Sequence, residues 1–399
     1  MGLDPTFRAE LIQRTRHWKS VPRQTGCLWV HASSVGEVRV AELLIQALQQ
    51  RYPDRTVVLS TFTATGYTLA KEVLACPVFR LPLDLPVLIR PLLKRLDPAI
   101  LILIEAEYWP NLLHACSQRK IPVLLANGRL SAKSFARYQK LKFWFQWITE
   151  PVSIFSMRGQ AEADRLLNLD IDPARVQITG NIKFDSLSTD EIPPPKLTQL
   201  GEITVVFGST RPGEEAAIAK AISQFNQNPL DYKFIIAPRH VPRCREVESI
   251  LRDAGLSVTL HSDRKGPLER WTTTVLLVDA LGVLNDYYRQ GHVAFVGGGF
   301  DPRHGGHNIL EPAILGLPVI YGKDMGNFEE EAQLLSDSGG GIQIEHPEDL
   351  APVLEKLLSD PEEILRRGVL AAEAVQRQKG AVNRNLELVQ SLIEKGNAT

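Results

Sequence analysis

Leu28-Trp29-Val30-His31-Ala32-Ser33-Ser34-Val35-Gly36-Glu37 is an apolar run that gives way to small polar residues and then to an amphipathic stretch over residues 38–51. A strand covered on both faces needs apolar residues without alternation, and the helix that follows it needs an apolar stripe at 3.6-residue spacing. The pattern repeats outward. Residues 56–60 read as a strand, 65–75 as a helix and 99–104 as a strand again. It returns at residues 204–207, 233–237, 275–278, 293–296 and 318–321. Strands separated by helices predict βαβ units, and therefore α/β domains built on parallel sheets.

With 399 residues the chain exceeds the roughly 250–300 at which a single core stops growing, so two domains are expected. Residues 187–200, with Asp190-Glu191 and Pro193-Pro194-Pro195, suit a linker between a first domain at 1–186 and a second at 201–399. The tail over 347–394 is helical in period, and its sequence leaves open whether it packs on the second domain or crosses back to the first. An apolar content of 44% with 23% charged residues excludes disordered and fibrous classes. No apolar run approaches the roughly 18 residues of a membrane span, and residues 1–8 lack a secretory pattern. Four cysteines without close spacing predict neither a disulfide framework nor a thiolate zinc site, as suits a reducing cytoplasm.

The net charge of −1 conceals an asymmetry. Residues 1–185 carry 24 Lys and Arg against 16 Asp and Glu, while the remainder carries 21 against 30. A basic half attracts anionic surfaces. Within it, residues 131–148 interleave Lys133, Arg137, Lys140 and Lys142 with Phe135, Tyr138, Phe143, Trp144, Phe145 and Trp147. That mixture suits a helix at an anionic membrane surface. No nucleic-acid motif accompanies it, so no nucleic-acid partner is expected.

In parallel sheets, ligands bind beyond the carboxyl ends of the strands. After the first strand, Ser34 and Gly36 open a helix whose free N–H groups suit an anion, and Glu37 is either a first-turn carboxylate or a general base. After residues 99–104 come Glu105 and Glu107, of which at most one is expected to enter the cleft. In the second half, Gly297-Gly298-Gly299 and then Gly305-Gly306-His307-Asn308 precede a helix carrying Glu311. Glycines there admit close backbone approach to a ligand, and the pattern is similar to nucleotide-sugar sites of two-domain glycosyltransferases. His304 and His307 lack a third ligand at fitting spacing, so no metal is expected. Arg239, directly after a strand, is placed to clamp an anion or to form a surface salt bridge.

Eight collinear segments between residues 31 and 328 resemble the 3-deoxy-D-manno-octulosonic acid (Kdo) transferase family: 31–37, 105–111, Asn127-Gly128-Arg129-Leu130-Ser131, 180–185, Gly208-Ser209-Thr210, 237–240, 305–313 and Asn327-Phe328. The resemblance implies a GT-B fold, with two Rossmann-like parallel-sheet domains facing across a cleft. It also implies an inverting, metal-independent transfer of Kdo from CMP-Kdo to a hydroxyl of the lipid A precursor in lipopolysaccharide biosynthesis. CMP leaves, and no cofactor takes part. By this likeness Glu37 is the base. The acceptor side comprises Ser34, Gly36, Glu105, Glu107, Arg129, Lys133, Arg137 and Lys140. Donor contacts fall to Lys183, Ser209, Thr210, Arg211, Arg239, His240, Gly282, Gly305, Gly306, His307, Asn308, Glu311 and Asn327. The implied place is the cytoplasmic face of the bacterial inner membrane. Three features depart from the family pattern: Arg211 replaces a usual His, Val283 replaces a usual Glu, and an apolar amino-terminal anchor is missing. An epimerase or hydrolase of the same fold, acting on a soluble nucleotide sugar, is the competing expectation.

Overall fold

The computed structural model describes residues 15, 17–21, 23–186, 203–225, 232–264 and 271–397. The expected linker at 187–200 and the first eight residues, where no leader is expected, lie outside them. The chain divides into two compact units, Met1–Ser186 with Gln378–Thr399, and Leu187–Arg377.

The first unit holds seven strands: β1 (Leu28–His31), β2 (Val57–Thr61), β3 (Val78–Arg80), β4 (Ile100–Ile104), β5 (Val123–Gly128), β6 (Ile154–Met157) and β7 (Val176–Ile178). Between them run α1 (Val35–Arg51), α2 (Ala64–Val73), α3 (Pro86–Leu96), α4 (Pro110–Gln118), α5 (Ala132–Lys140), α6 (Lys142–Thr149) and α7 (Gln160–Leu167). The strands form one sheet in the order β3-β2-β1-β4-β5-β6-β7, with every pair parallel. Alternate residues of β1 serve two cores. Trp29 joins Val58, Leu101, Leu103 and Phe155 on one face, and Leu28 and Val30 join Leu59, Ile100 and Ile102 on the other. Both faces are buried, which is why the strands read as continuous apolar runs.

The second unit contains β8 (Ile203–Thr210), β9 (Tyr232–Pro238), β10 (Val258–Leu260), β11 (Val275–Leu277), β12 (Val293–Val296), β13 (Val319–Gly322) and β14 (Gly341–Ile344). Its helices are α8 (Glu214–Ser223), α9 (Cys244–Asp253), α10 (Leu284–Tyr288), α11 (Leu310–Ile314), α12 (Glu329–Ser338), α13 (Leu350–Leu358) and α14 (Pro361–Gln378). The sheet order is β10-β11-β9-β8-β12-β13-β14, again parallel. Phe207, Phe234 and Phe295 pack ring against ring at its centre.

The last helix, α15 (Ala381–Asn397), belongs to the first unit. Its Leu388, Val389, Leu392 and Ile393 enter the same core as Leu28 and Val30. The Asp185 carboxylate accepts hydrogen bonds from the N–H groups of Gly380 and Val382, both at 2.6 Å, and so caps the helix entry. Buried Asn385 accepts from Ser156 Oγ and donates to Thr179 Oγ1.

One expected element differs. The basic aromatic stretch 131–148 is two helices, α5 and α6, broken at Leu141, whose N–H turns back to Tyr138. Its aromatics also divide. Phe135, Tyr138 and Phe145 pack against the core, while Phe143, Trp144 and Trp147 are exposed at 74%, 57% and 46%. Among the described residues no helix is long and apolar enough to cross a membrane.

Candidate functional site

In each sheet the chain order reverses beside the first strand: β1 lies between β2 and β4, and β8 between β9 and β12. Loops leaving the two sides of such a point splay apart and open a crevice at the carboxyl edge. Many, though not all, of the expected site residues lie at these two places.

In the first unit, Ser34 caps α1, and its hydroxyl accepts the Glu37 N–H at 3.4 Å. The Glu37 side chain folds back over the cap. One carboxylate oxygen accepts from the Ser33 N–H and the other from the Ser34 hydroxyl, both at 2.8 Å. Glu37 is 8% exposed. Burial pushes its carboxyl up to about 7 against the downward pull of those two hydrogen bonds, and the nearby Glu107 and Glu105 carboxylates add to the rise. Glu37 thus closes its own loop and also holds a proton affinity suited to a general base at neutral pH.

Both Glu105 and Glu107 approach Glu37, against the expectation that at most one of them would. Glu105 has a left-handed backbone (φ 64°), so β4 ends before it and both carboxylates come within electrostatic reach of Glu37. A buried polar network lies beneath. Trp109 donates its indole N–H to Nε2 of His31 at 3.1 Å, leaving Nδ1 to donate to Ser60 Oγ at 2.8 Å. Trp29 donates to the same hydroxyl at 2.8 Å. Two segments singled out in the sequence also meet: buried Asn127, at φ 55°, accepts the Ile182 N–H at 2.9 Å. Its Nδ2 has no hydrogen-bond partner among the described residues. Ser34 and Gly36 adjoin Glu37 on α1; Arg129, Lys133, Arg137 and Lys140 are exposed, the last three on α5. Lys183 is half-buried on a 3₁₀ turn of this unit, not the unit that carries the other expected donor residues.

In the second unit β8 bulges at Ser209, φ 55°, just before its last residue, Thr210. Arg211 follows, and its guanidinium spans two histidines: Nε donates to His307 Nε2 at 3.1 Å and Nη1 lies 3.0 Å from His240 Nε2. Burial, then the Arg211 and Arg239 charges, hold His307 down to about 4, so it stays neutral and accepts. Arg239 lies beside this group, its N–H bonded to the Thr210 carbonyl at 3.0 Å. Asn308 donates to Glu311 at 2.9 Å, and burial raises the Glu311 carboxyl. Asn327 donates to the His304 carbonyl at 2.8 Å and thereby fixes the loop carrying Gly305 and Gly306. The structure thus brings Thr210, Arg211, Arg239, His240, His307, Asn308 and Glu311 into one constellation. Gly282 stands apart, in a turn with open space around it.

Gly297 and Gly298 also serve the packing of the protein's own loops. A Cβ on Gly297 would fall 2.4 Å from Glu214 Oε2, and one on Gly298 would fall 2.9 Å from the His307 ring. Close approach is needed between protein loops, which interlock here, rather than only towards a ligand. Sequence reasoning passed over Glu214, the buried carboxylate filling that space, because an acid in a first helical turn is common on dipole grounds alone. Among the described residues no group of three or more His, Cys, Asp or Glu is placed to hold a metal ion.

Residues 9–186 match the family model described as 3-deoxy-D-manno-octulosonic-acid transferase (kdotransferase). The 3-deoxy-D-manno-octulosonic acid transferase of Haemophilus influenzae is 33% identical over 98% of this chain and 93% of its own length. Among solved structures, MurG of Acinetobacter baumannii superposes with a TM-score of 0.61 at 12% identity, covering 92% of this chain and 99% of that one. A UDP-GlcNAc 2-epimerase of Neisseria meningitidis does so at 0.55 and 14%, covering 90% and 100%. Both share the fold of two parallel-sheet units.

Proposed function

The chain belongs to the Kdo transferase family, a family of glycosyltransferases, and from that premise we propose that it transfers Kdo from CMP-Kdo to a hydroxyl of a lipid A precursor, with inversion and without a metal. The observation that carries this reading is Glu37. A buried carboxylate with a proton affinity near neutrality, oriented through both oxygens, is what a base needs in order to take the proton from an acceptor hydroxyl as it attacks the anomeric carbon.

The second unit supplies the opposite kind of site. Donor and leaving group are both anionic, and Arg211 and Arg239 beside the neutral His307 meet phosphate and carboxylate with oriented guanidinium groups. As the bond to CMP breaks, negative charge grows on the phosphate, and these cations stabilise it. Lys183, Ser209, Asn308, Glu311 and Asn327 complete the donor contacts in this reading. Glu105 and Glu107 border the acceptor hydroxyl.

The acceptor and membrane partners rest on the first unit's surface. Exposed Phe143, Trp144 and Trp147 on α6, beside Lys133, Arg137 and Lys140 on α5, suit the interface of an anionic bilayer in which acyl chains are embedded. That favours a peripheral position at the cytoplasmic face of the inner membrane.

Mass spectrometry of a tetra-acylated lipid A precursor incubated with the protein and freshly generated CMP-Kdo tests the reading. A lipid heavier by one or more Kdo residues is expected. Release of CMP without a heavier lipid would replace transfer by hydrolysis, the chemistry of the competing soluble-substrate reading.

A further inference from the structure

Glu214 has no part in the scheme above, yet its carboxylate joins two turns that otherwise share few bonds. Oε2 accepts the Arg211 N–H at 2.8 Å, in the turn after β8; Oε1 accepts the Gly298 N–H at 2.7 Å, in the turn after β12. Gly297 lacks the side chain that would collide with it. Beyond the Arg211 main chain, the guanidinium is braced between His307 and His240. A continuous line of bonds therefore runs from the glycine turn through Glu214 to the cation.

We infer that Glu214 is a positioning residue of the second unit, locking Arg211 in the orientation in which it receives the anionic group of the donor. This rests on the reading that the second unit holds CMP-Kdo. An arginine fixed at its backbone and along its guanidinium loses little freedom when it takes up a phosphate or carboxylate, so most of the charge-assisted hydrogen bonding is retained as affinity. The departure from the family pattern at position 211 acquires a reason: only a side chain as long and forked as arginine meets both His307 and His240.

The carboxylate also gives a signature. Burial pushes Glu214 up to about 7, opposed by the hydrogen bonds from Gly298 and Arg211; the Glu215 charge adds to the rise and the Arg211 charge subtracts. Glu215 on the same helix is itself paired with Arg243 at 2.7 Å, the glycine turn brings no charge, and His240 and His307 stand behind Arg211. An anion bound at Arg211 strengthens the hold of Glu214 on a proton, so binding above neutral pH draws a proton from solvent.

Calorimetric titration of the full chain with CMP, slightly above neutral pH in two buffers of different ionisation enthalpy, tests this in wild type, Glu214→Gln, Arg211→Ala and the double variant. Glu214→Gln, which presents an amide donor to one of the two N–H groups, is expected to bind CMP about tenfold more weakly and to lose the proton uptake. Arg211→Ala is expected to lose more, and the double variant no more than Arg211→Ala, since Glu214 acts through Arg211. Should Glu214→Gln not fold, Glu214→Asp takes its place, keeping the proton uptake while weakening CMP. Equal affinity and proton uptake in wild type and variant, or additive losses in the double variant, overturn the inference. Absence of CMP binding to the wild type overturns the donor reading itself, and the inference with it.

Discussion

Glu37 and Glu214 occupy matching places in two sheets: each lies in the first turn of the helix that follows its unit's first strand, each is buried, and each has its carboxyl raised to about 7 by that burial. Their neighbours separate them. Both oxygens of Glu214 are held by backbone N–H groups and a guanidinium stands nearby, so it behaves as a fixed strut. One oxygen of Glu37 is held only by a serine hydroxyl, which can rotate away, and the charges around it are carboxylates. In the proposed scheme the same fold position yields a group that takes the proton of the acceptor in one unit and a group that braces the main chain of a cationic residue in the other. Burial sets the proton affinity; partners decide its use.

The sharpest way to break this contrast is Glu37→Gln. Kdo transfer should fall by about 10³-fold while CMP affinity stays within about twofold of wild type, as isothermal titration would show. Comparable losses of CMP binding would make Glu37 a structural residue like Glu214. The pH dependence is the next test. Glu37 works as a base only when ionised, so kcat/KM should climb as pH rises through about 7 and fall about tenfold per unit well below it. A profile that is flat over that range would remove Glu37 from proton transfer.

A smaller effect belongs to the second unit. Arg239→Ala should weaken CMP binding about tenfold, the range for one charge-assisted hydrogen bond, and lower kcat as well as raise the donor KM, because the cation also meets the charge that grows on the phosphate; unaltered donor affinity and kcat would return Arg239 to a surface salt bridge. The smallest concerns the surface. Phe143→Ser with Trp144→Ser should reduce sedimentation with anionic vesicles several-fold and leave CMP binding unchanged, because both rings are exposed rather than packed. Unchanged vesicle binding would separate the aromatic face from the membrane.

Sequence pattern carried the architecture further than it carried the sites. Continuous apolar runs such as 99–104 declare a strand buried on both faces, and β4 occupies Ile100–Ile104. Of the four three-residue strands, β11 was legible because it is an unbroken, fully buried apolar run, whereas β3, β7 and β10 carry partly exposed residues and were not. Ser34 and Glu37 were visible because a serine cap followed three residues later by an acid is a local signal. Glu214 was not, since its partner Gly298 lies 84 residues away and only the fold unites them. The approach of both Glu105 and Glu107 to Glu37 was hidden for a similar reason: the left-handed turn that ends the strand is a backbone property which glutamate does not advertise. At 131–148 composition was legible but orientation was not, because the break at Leu141 sends half of the aromatic rings inward.

The return of α15 to the first sheet has a consequence for the life of the chain. During synthesis residues 23–186 leave the ribosome well before α15, so the face formed by Leu28, Val30, Ile100 and Ile102 lacks the cover of Leu388, Val389, Leu392 and Ile393 until residues 388–393 emerge. The half that is made first is therefore completed last, and for most of translation it exposes a sticky apolar surface of the kind that chaperones hold. Deleting α15 would therefore damage a sheet whose own strands all lie far upstream in the chain.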